Sequence, residues 1–141
     1  MHSDVVYSKA KENFDKARQM GWLVQDGSPC YYIYEQTMDG RRQCGIVAAV
    51  ACEDYENGLI KKHELTRHDK EEDRMVLTRW LGANIEPVFL AYKSVGEIDA
   101  IIERVKEGKP EYDFVSDDGV GHRLWVLSDK QAIFQIERLF E

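Results

Sequence analysis

An α+β fold is predicted for this chain, with a mixed or mostly antiparallel sheet of about five strands and helices packed on it. Three observations lead there. Apolar residues recur at helical spacing in four separate segments. Two strand pairs are each joined by a short glycine-bearing turn. These two hairpins are mixed with helices along the chain, which implies an α+β layer with helices packed on a mostly antiparallel or mixed sheet. The 141 residues suit one domain with a core built without disulfides or metals. An aromatic content of 11% places the chain among globular proteins rather than disordered ones.

In chain order, Val6, Tyr7, Ala10, Phe14 and Ala17 fall at three- and four-residue steps and predict a helix over residues 3–20, ended by Gly21. "PCYYIYEQ" is rich in aromatic and β-branched residues, and "CGIVAAVAC" is a continuous apolar run of the kind covered on both faces. Asp39-Gly40 between them favours a tight turn, so the two form a hairpin with its second strand near the sheet centre. Asn57-Gly58 marks another turn, and a helix starts near Asp69, where Asp69 and Glu72 resemble a capping box. Its buried stripe is Val76, Trp80 and Ala83. Pro87 opens a fifth strand, "PVFLAYK".

Ser94 with Glu97 caps the next helix, whose Ile98, Ile101, Ile102 and Val105 share one face, and Gly108 and Pro110 stop it. "YDFV" and "RLWVL" flank the turn "SDDGVGH" as a second hairpin. Ser128 with Gln131 caps a last helix carrying Ile133, Ile136 and Phe140. That helix runs to the final residue, which suggests a piece cut from a longer protein.

A net charge of -7, from 26 acidic and 19 basic side chains, opposes a sequence-independent grip on nucleic-acid phosphates. No apolar run is long enough for a membrane span, and the first residues lack the blocks of a signal peptide. Cys30, Cys44 and Cys52 are odd in number and without C-x-x-C spacing. They are expected as buried free thiols in a reducing, cytoplasmic setting.

The chemistry concentrates in "IKKHELTRHDKEEDR", residues 60–74. His63 and His68 are five apart, whereas a helical zinc pair needs four, so a polar loop explains them better than a metal. His63 with Glu64 could act as a general acid–base pair, although adjacent residues need not face one another. Lys61, Lys62, Arg67 and Arg74 surround Thr66 ahead of a helix start, which suits a phosphate. The same residues also suit a solvated charged helix start. At the second hairpin, Asp117, Asp118, His122 and Arg123 accompany glycines that allow close backbone approach, and a turn-forming role explains Asp118-Gly119 equally well. No nucleophile elbow or other catalytic motif supports a standalone hydrolase.

The run DY-x-x-G-x-I-K-K-H-E-x-T-R with its K-E-x-D-R continuation, and the run D-G-V-x-H-x-L-W, resemble the family grouped as domain of unknown function 1015. Members of that family are much longer and carry a "DGHHR" motif downstream. The resemblance therefore implies that this chain is the central part of a parent protein, and that the remainder of the parent chain is a partner. The downstream motif is similar to one in the ParB, sulfiredoxin and free-serine-kinase group. By that analogy the parent resembles a kinase-like phosphotransferase using an Mg-nucleotide, with the fragment inactive alone. Site roles implied by the resemblance are His63 and Glu64 for proton transfer, and Lys62, Thr66, Arg67, Asp73, Arg74 and His122 for binding a phosphate-bearing small molecule. The alternative is a structural or interaction domain, in which the same charges dock the rest of the parent or another subunit, a homo-oligomer included.

Overall fold

The computed structural model describes residues 3–63 and 66–140. Its fold is α+β, as expected, with five helices and four strands among the described residues. The chain divides into two compact units, one from residues 1–25 and 50–89, the other from 26–49 and 90–141. No helix is long and apolar enough to cross a membrane.

The first unit is helical. Helix α1 (Asp4–Gln19) buries Tyr7 and half-buries Ala10, Phe14 and Ala17, the face its spacing predicts, while Val6 stays exposed. Helix α2 (Cys52–Glu56) is a single short turn that the sequence pattern does not announce. Helix α3 (His68–Leu81) packs against α1. The Tyr7 ring stacks on Trp80 with centroids 6.5 Å apart, and the Tyr7 hydroxyl donates to the Asp73 carboxylate. The expected stripe is shifted: Leu81 is the buried residue of α3, and Trp80 serves as a lid on Tyr7 rather than as a core residue. Asp69 does not cap α3, because its carboxylate is held by the Arg67 side chain.

The second unit holds one antiparallel sheet in the order β2-β1-β4-β3, made of β1 (Tyr31–Met38), β2 (Arg41–Val47), β3 (Tyr112–Val115) and β4 (Gly121–Leu127). Met38 pairs with Arg41 across a two-residue turn, and Asp39 and Gly40 take φ of 51° and 75°. Two successive positive φ values define the mirror-type turn that matches strand twist, which is why Asp-Gly stands there.

Two strand expectations are corrected. β2 is an edge strand and mostly exposed, not central, because β4 pairs with the other side of β1. Of its apolar run only Ile46 is half-buried, and strand pairing stops at Val47. The segment 87–93 forms no strand: no described strand supplies a ladder for it, and Val88 and Phe89 are largely exposed. The sheet therefore has four strands rather than five.

Helices α4 (Gly96–Lys106) and α5 (Lys130–Phe140) supply the core of this unit. Ile98 and Ile102 of α4 pack with Ile33 and Trp125 of the two central strands. Ile101 joins Leu127, Ala132 and Ile136 in a second cluster. Each such isoleucine, fully buried, is worth about 2–3 kcal/mol. The Trp125 indole N–H, buried with its ring, donates to Gly108 O at 3.0 Å. The caps sit one residue away from their expected places. Val95, not Ser94, precedes α4, and Ser94 donates instead to Asp99. Asp129, not Ser128, caps α5, accepting from the backbone N–H of Gln131 at 2.8 Å and Ala132 at 2.9 Å.

The three cysteines are free, but the expectation that they are buried fails for two of them. Cys44 and Cys52 are exposed, and Cys30 is half-buried. Cys44 lies on the edge strand opposite Glu35, and Cys52 opens the short α2.

Candidate functional site

The charged run 60–74 lies in the helical unit, and several of its described side chains are engaged locally. Lys61 donates to Gly58 O, and the Lys62 ammonium sits 4.5 Å from the centroid of the Tyr55 ring. Arg67 makes a two-pronged contact with Asp69, its Nε at 3.1 Å and its Nη2 at 2.8 Å. Arg74 reaches Glu86 at 2.6 Å, and Asp73 accepts from Tyr7. His63 and Thr66 are exposed, and Glu64 lies outside the described residues. These ion pairs are more than half exposed, so each holds its geometry with less than about 1 kcal/mol. A ligand could therefore take over either cation at small cost.

His122 lies in the other unit, on β4. Strand alternation decides what it meets. Ile33, Glu35, Arg123 and Trp125 occupy the sheet face on which α4 and α5 pack, so Tyr34 and His122 point to the opposite face. There the His122 ring stacks between Phe114, at 4.9 Å between centroids, and Tyr34, at 6.1 Å. Both ring nitrogens are occupied: Nδ1 lies 2.6 Å from the Tyr34 hydroxyl and Nε2 lies 2.9 Å from Ser116 Oγ. Ser116 Oγ also contacts Asp118 Oδ1 at 2.5 Å and Val120 O at 3.0 Å. The Asp118 carboxyl is held below its ordinary range, first by the Ser116 hydrogen bond and then by the Val120 backbone N–H.

The hairpin end of the sheet forms an open cleft of about 500 Å³, whose lining includes Thr37, Asp39, Arg42, Asp113, His122 and Arg123. Behind it stands a feature that motif reading missed. Glu35 is 2% exposed and binds the Lys106 ammonium at 2.9 Å. Arg123 approaches the other Glu35 oxygen at 4.0 Å and holds Asp113 at 3.3 Å. The Lys106 pKa is raised, first by hydrogen bonding to Glu103 and then to Glu35. Burial pushes the neighbouring Cys44 thiol up. Arg42, by contrast, makes no ion pair or side-chain hydrogen bond among the described residues. A signal for Glu35 was present: in "YYIYEQ" an acid sits two residues after an inward isoleucine, and so must face a buried cation.

Among the described residues no three histidine, cysteine, aspartate or glutamate side chains gather as a metal site. A family profile described as "Protein of unknown function (DUF1015)" matches residues 1–141. No curated protein and no solved structure matches the chain.

Proposed function

The chain belongs to the DUF1015 family, and from that premise we propose that its sheet-bearing unit binds a phosphate-bearing small molecule in the cleft at the hairpin ends. The observation that carries this reading is Arg42, an unengaged guanidinium at the cleft, beside an Arg123 already oriented by Asp113 and Glu35. A planar fork with no partner suits a phosphate or carboxylate, which it can meet with two parallel bonds. In a protein of net charge -7, an anion needs such a local cation. The phosphotransferase reading of a longer parent, with an Mg-nucleotide, extends this proposal and rests on motif analogy alone.

The run 60–74 favours a second reading, a structural or interaction surface. Lys62, Arg67, Asp73 and Arg74 all have partners inside their own unit, so phosphate binding by Lys62 and Arg67 requires both to change partners. The free thiols support a reducing, cytoplasmic setting.

Calorimetric titration with inorganic phosphate and, separately, magnesium-ATP tests the proposal. Arg42→Ala is expected to weaken binding about tenfold or more, the loss of a charge-assisted hydrogen bond, while Arg67→Ala leaves it unchanged. Retained affinity in Arg42→Ala, with loss in a Lys62/Arg67 double variant, would move the ligand to the 60–74 run.

A further inference from the structure

The contacts around His122 fix more than its position. A hydroxyl carries one proton, and Ser116 has three neighbours: a carboxylate oxygen of Asp118, the carbonyl of Val120 and Nε2 of His122. The first two can only accept. An oxygen-to-oxygen approach of 2.5 Å against an ionised carboxylate requires a proton between the atoms, so Ser116 donates to Asp118. Nothing is left for Ser116 to give to the ring, and Nε2 must be the donor. In the neutral ring Nδ1 is then the acceptor, and Tyr34 must be its donor.

We propose that Tyr34 and His122 form a proton-transfer site on the sheet face turned away from α4 and α5, with His122 fixed in its Nε2–H form and its second proton exchanged at Nδ1 through the Tyr34 hydroxyl. The step balances within the site. When the ring is cationic, Nδ1–H donates to the Tyr34 oxygen, and the Tyr34 O–H turns outward to an oxygen acceptor, water in the simplest case. Release breaks the Nδ1–H bond, forms a new O–H bond on Tyr34, and passes the original phenolic proton to that acceptor. The ring is left neutral with hydrogen on Nε2, and the proton gained by Tyr34 already lies toward Nδ1, so Tyr34 is its donor again.

The groups that face His122 are Tyr34 from β1, Phe114 from β3, and Ser116 and Asp118 from the turn. Gln36, its register partner on β1, is uncharged, and Arg123 points to the other face. Asp118 is thus the charge that the cationic ring senses, through Ser116. His122 also lines the cleft, but the Tyr34 and Ser116 contacts that fix its ring do not require an anion to be bound there.

Long-range proton–nitrogen NMR of the 15N-labelled chain, followed from about pH 8 to about pH 5, reads both nitrogens directly. The expected result is a protonated Nε2 and an unprotonated Nδ1 at the upper pH, with the added proton appearing at Nδ1. An Nδ1–H form at the upper pH overturns the assignment, whatever the variants do. Tyr34→Phe keeps the ring stacking and removes both the donor to the neutral Nδ1 and the acceptor of the cationic Nδ1–H; the second bond is charge-assisted and the stronger, so the variant should lower the proton affinity of His122 about three- to tenfold. Ser116→Ala should release the lock and give a mixture of the two neutral forms. An unmoved midpoint in Tyr34→Phe, or an undiminished Nε2–H population in Ser116→Ala, would each defeat the proposal. Amide dispersion in the same spectra shows that the variants are folded.

Discussion

Glu35 carries a charge at a position that strand geometry turns toward the core, and its neighbours make that tolerable. Its two oxygens are divided between Lys106 at 2.9 Å and Arg123 at 4.0 Å, with Lys106 itself largely buried. Glu35→Ala removes a buried side chain and one of the two carboxylates on Lys106, which keeps Glu103, so it should destabilise the sheet-bearing unit by about 1–3 kcal/mol, measured by urea denaturation. An isosteric Glu35→Gln variant keeps the volume and separates lost packing from lost charge. The pair also predicts the alkaline side of the stability curve. The Lys106 pKa is raised on folding, so its contribution is fully present below the unfolded lysine value of about 10.4 and is lost as pH rises through the folded value. Melting temperature followed across that range should fall in the native chain more steeply than in Glu35→Gln. Asp118 works with the opposite sign. Its lowered pKa gives a contribution that is present above the unfolded carboxylate range and is lost as pH falls through the folded value.

At the level of elements, what local chemistry could dictate was legible. Asp39-Gly40 specified its hairpin, and the isoleucines of α4 specified the face it buries. Caps were displaced by a residue: at α4 Ser94 donates to the Asp99 carboxylate instead of capping, and at α5 neighbouring Ser and Asp compete for the same backbone N–H groups. At α5 Asp129 wins over Ser128 with two bonds, and Asp129→Ala is predicted to cost about 1 kcal/mol in thermal or chemical unfolding. Strand placement was not legible in the same way. "CGIVAAVAC" has the composition of a central strand, yet β1 offers its second edge to β4, a partner some 90 residues away whose claim no local pattern announces. "PVFLAYK" fails as a strand for a related reason: extended propensity is local, whereas a ladder needs a second chain segment. The candidate site was read in part. His122 was singled out from its glycine-bearing turn, but Tyr34 and Ser116, which determine its chemistry, are ordinary strand and turn residues until the β1–β4 and β3–β4 registers bring them together.

For the molecule as a whole, membership of the DUF1015 family spans the full sequence and crosses both compact units. Each unit has its own internal logic. In the helical one a buried tyrosine ties α1 to α3 by ring stacking and by its hydroxyl, so Tyr7→Ala, which removes both, should accelerate amide exchange along those two helices. In the other, five isoleucines, a leucine, an alanine and a tryptophan fasten two helices to one face of a sheet. That tryptophan has a further use. Trp125 is 5% exposed, whereas Trp80 and Trp22, both in the helical unit, are 40% and 69% exposed. The emission of the chain therefore divides by wavelength, with a blue component from Trp125 and a red one from the other two. An aqueous quencher such as iodide would silence the red light first. What remains is an intrinsic optical gauge of the sheet-bearing unit, readable without a label.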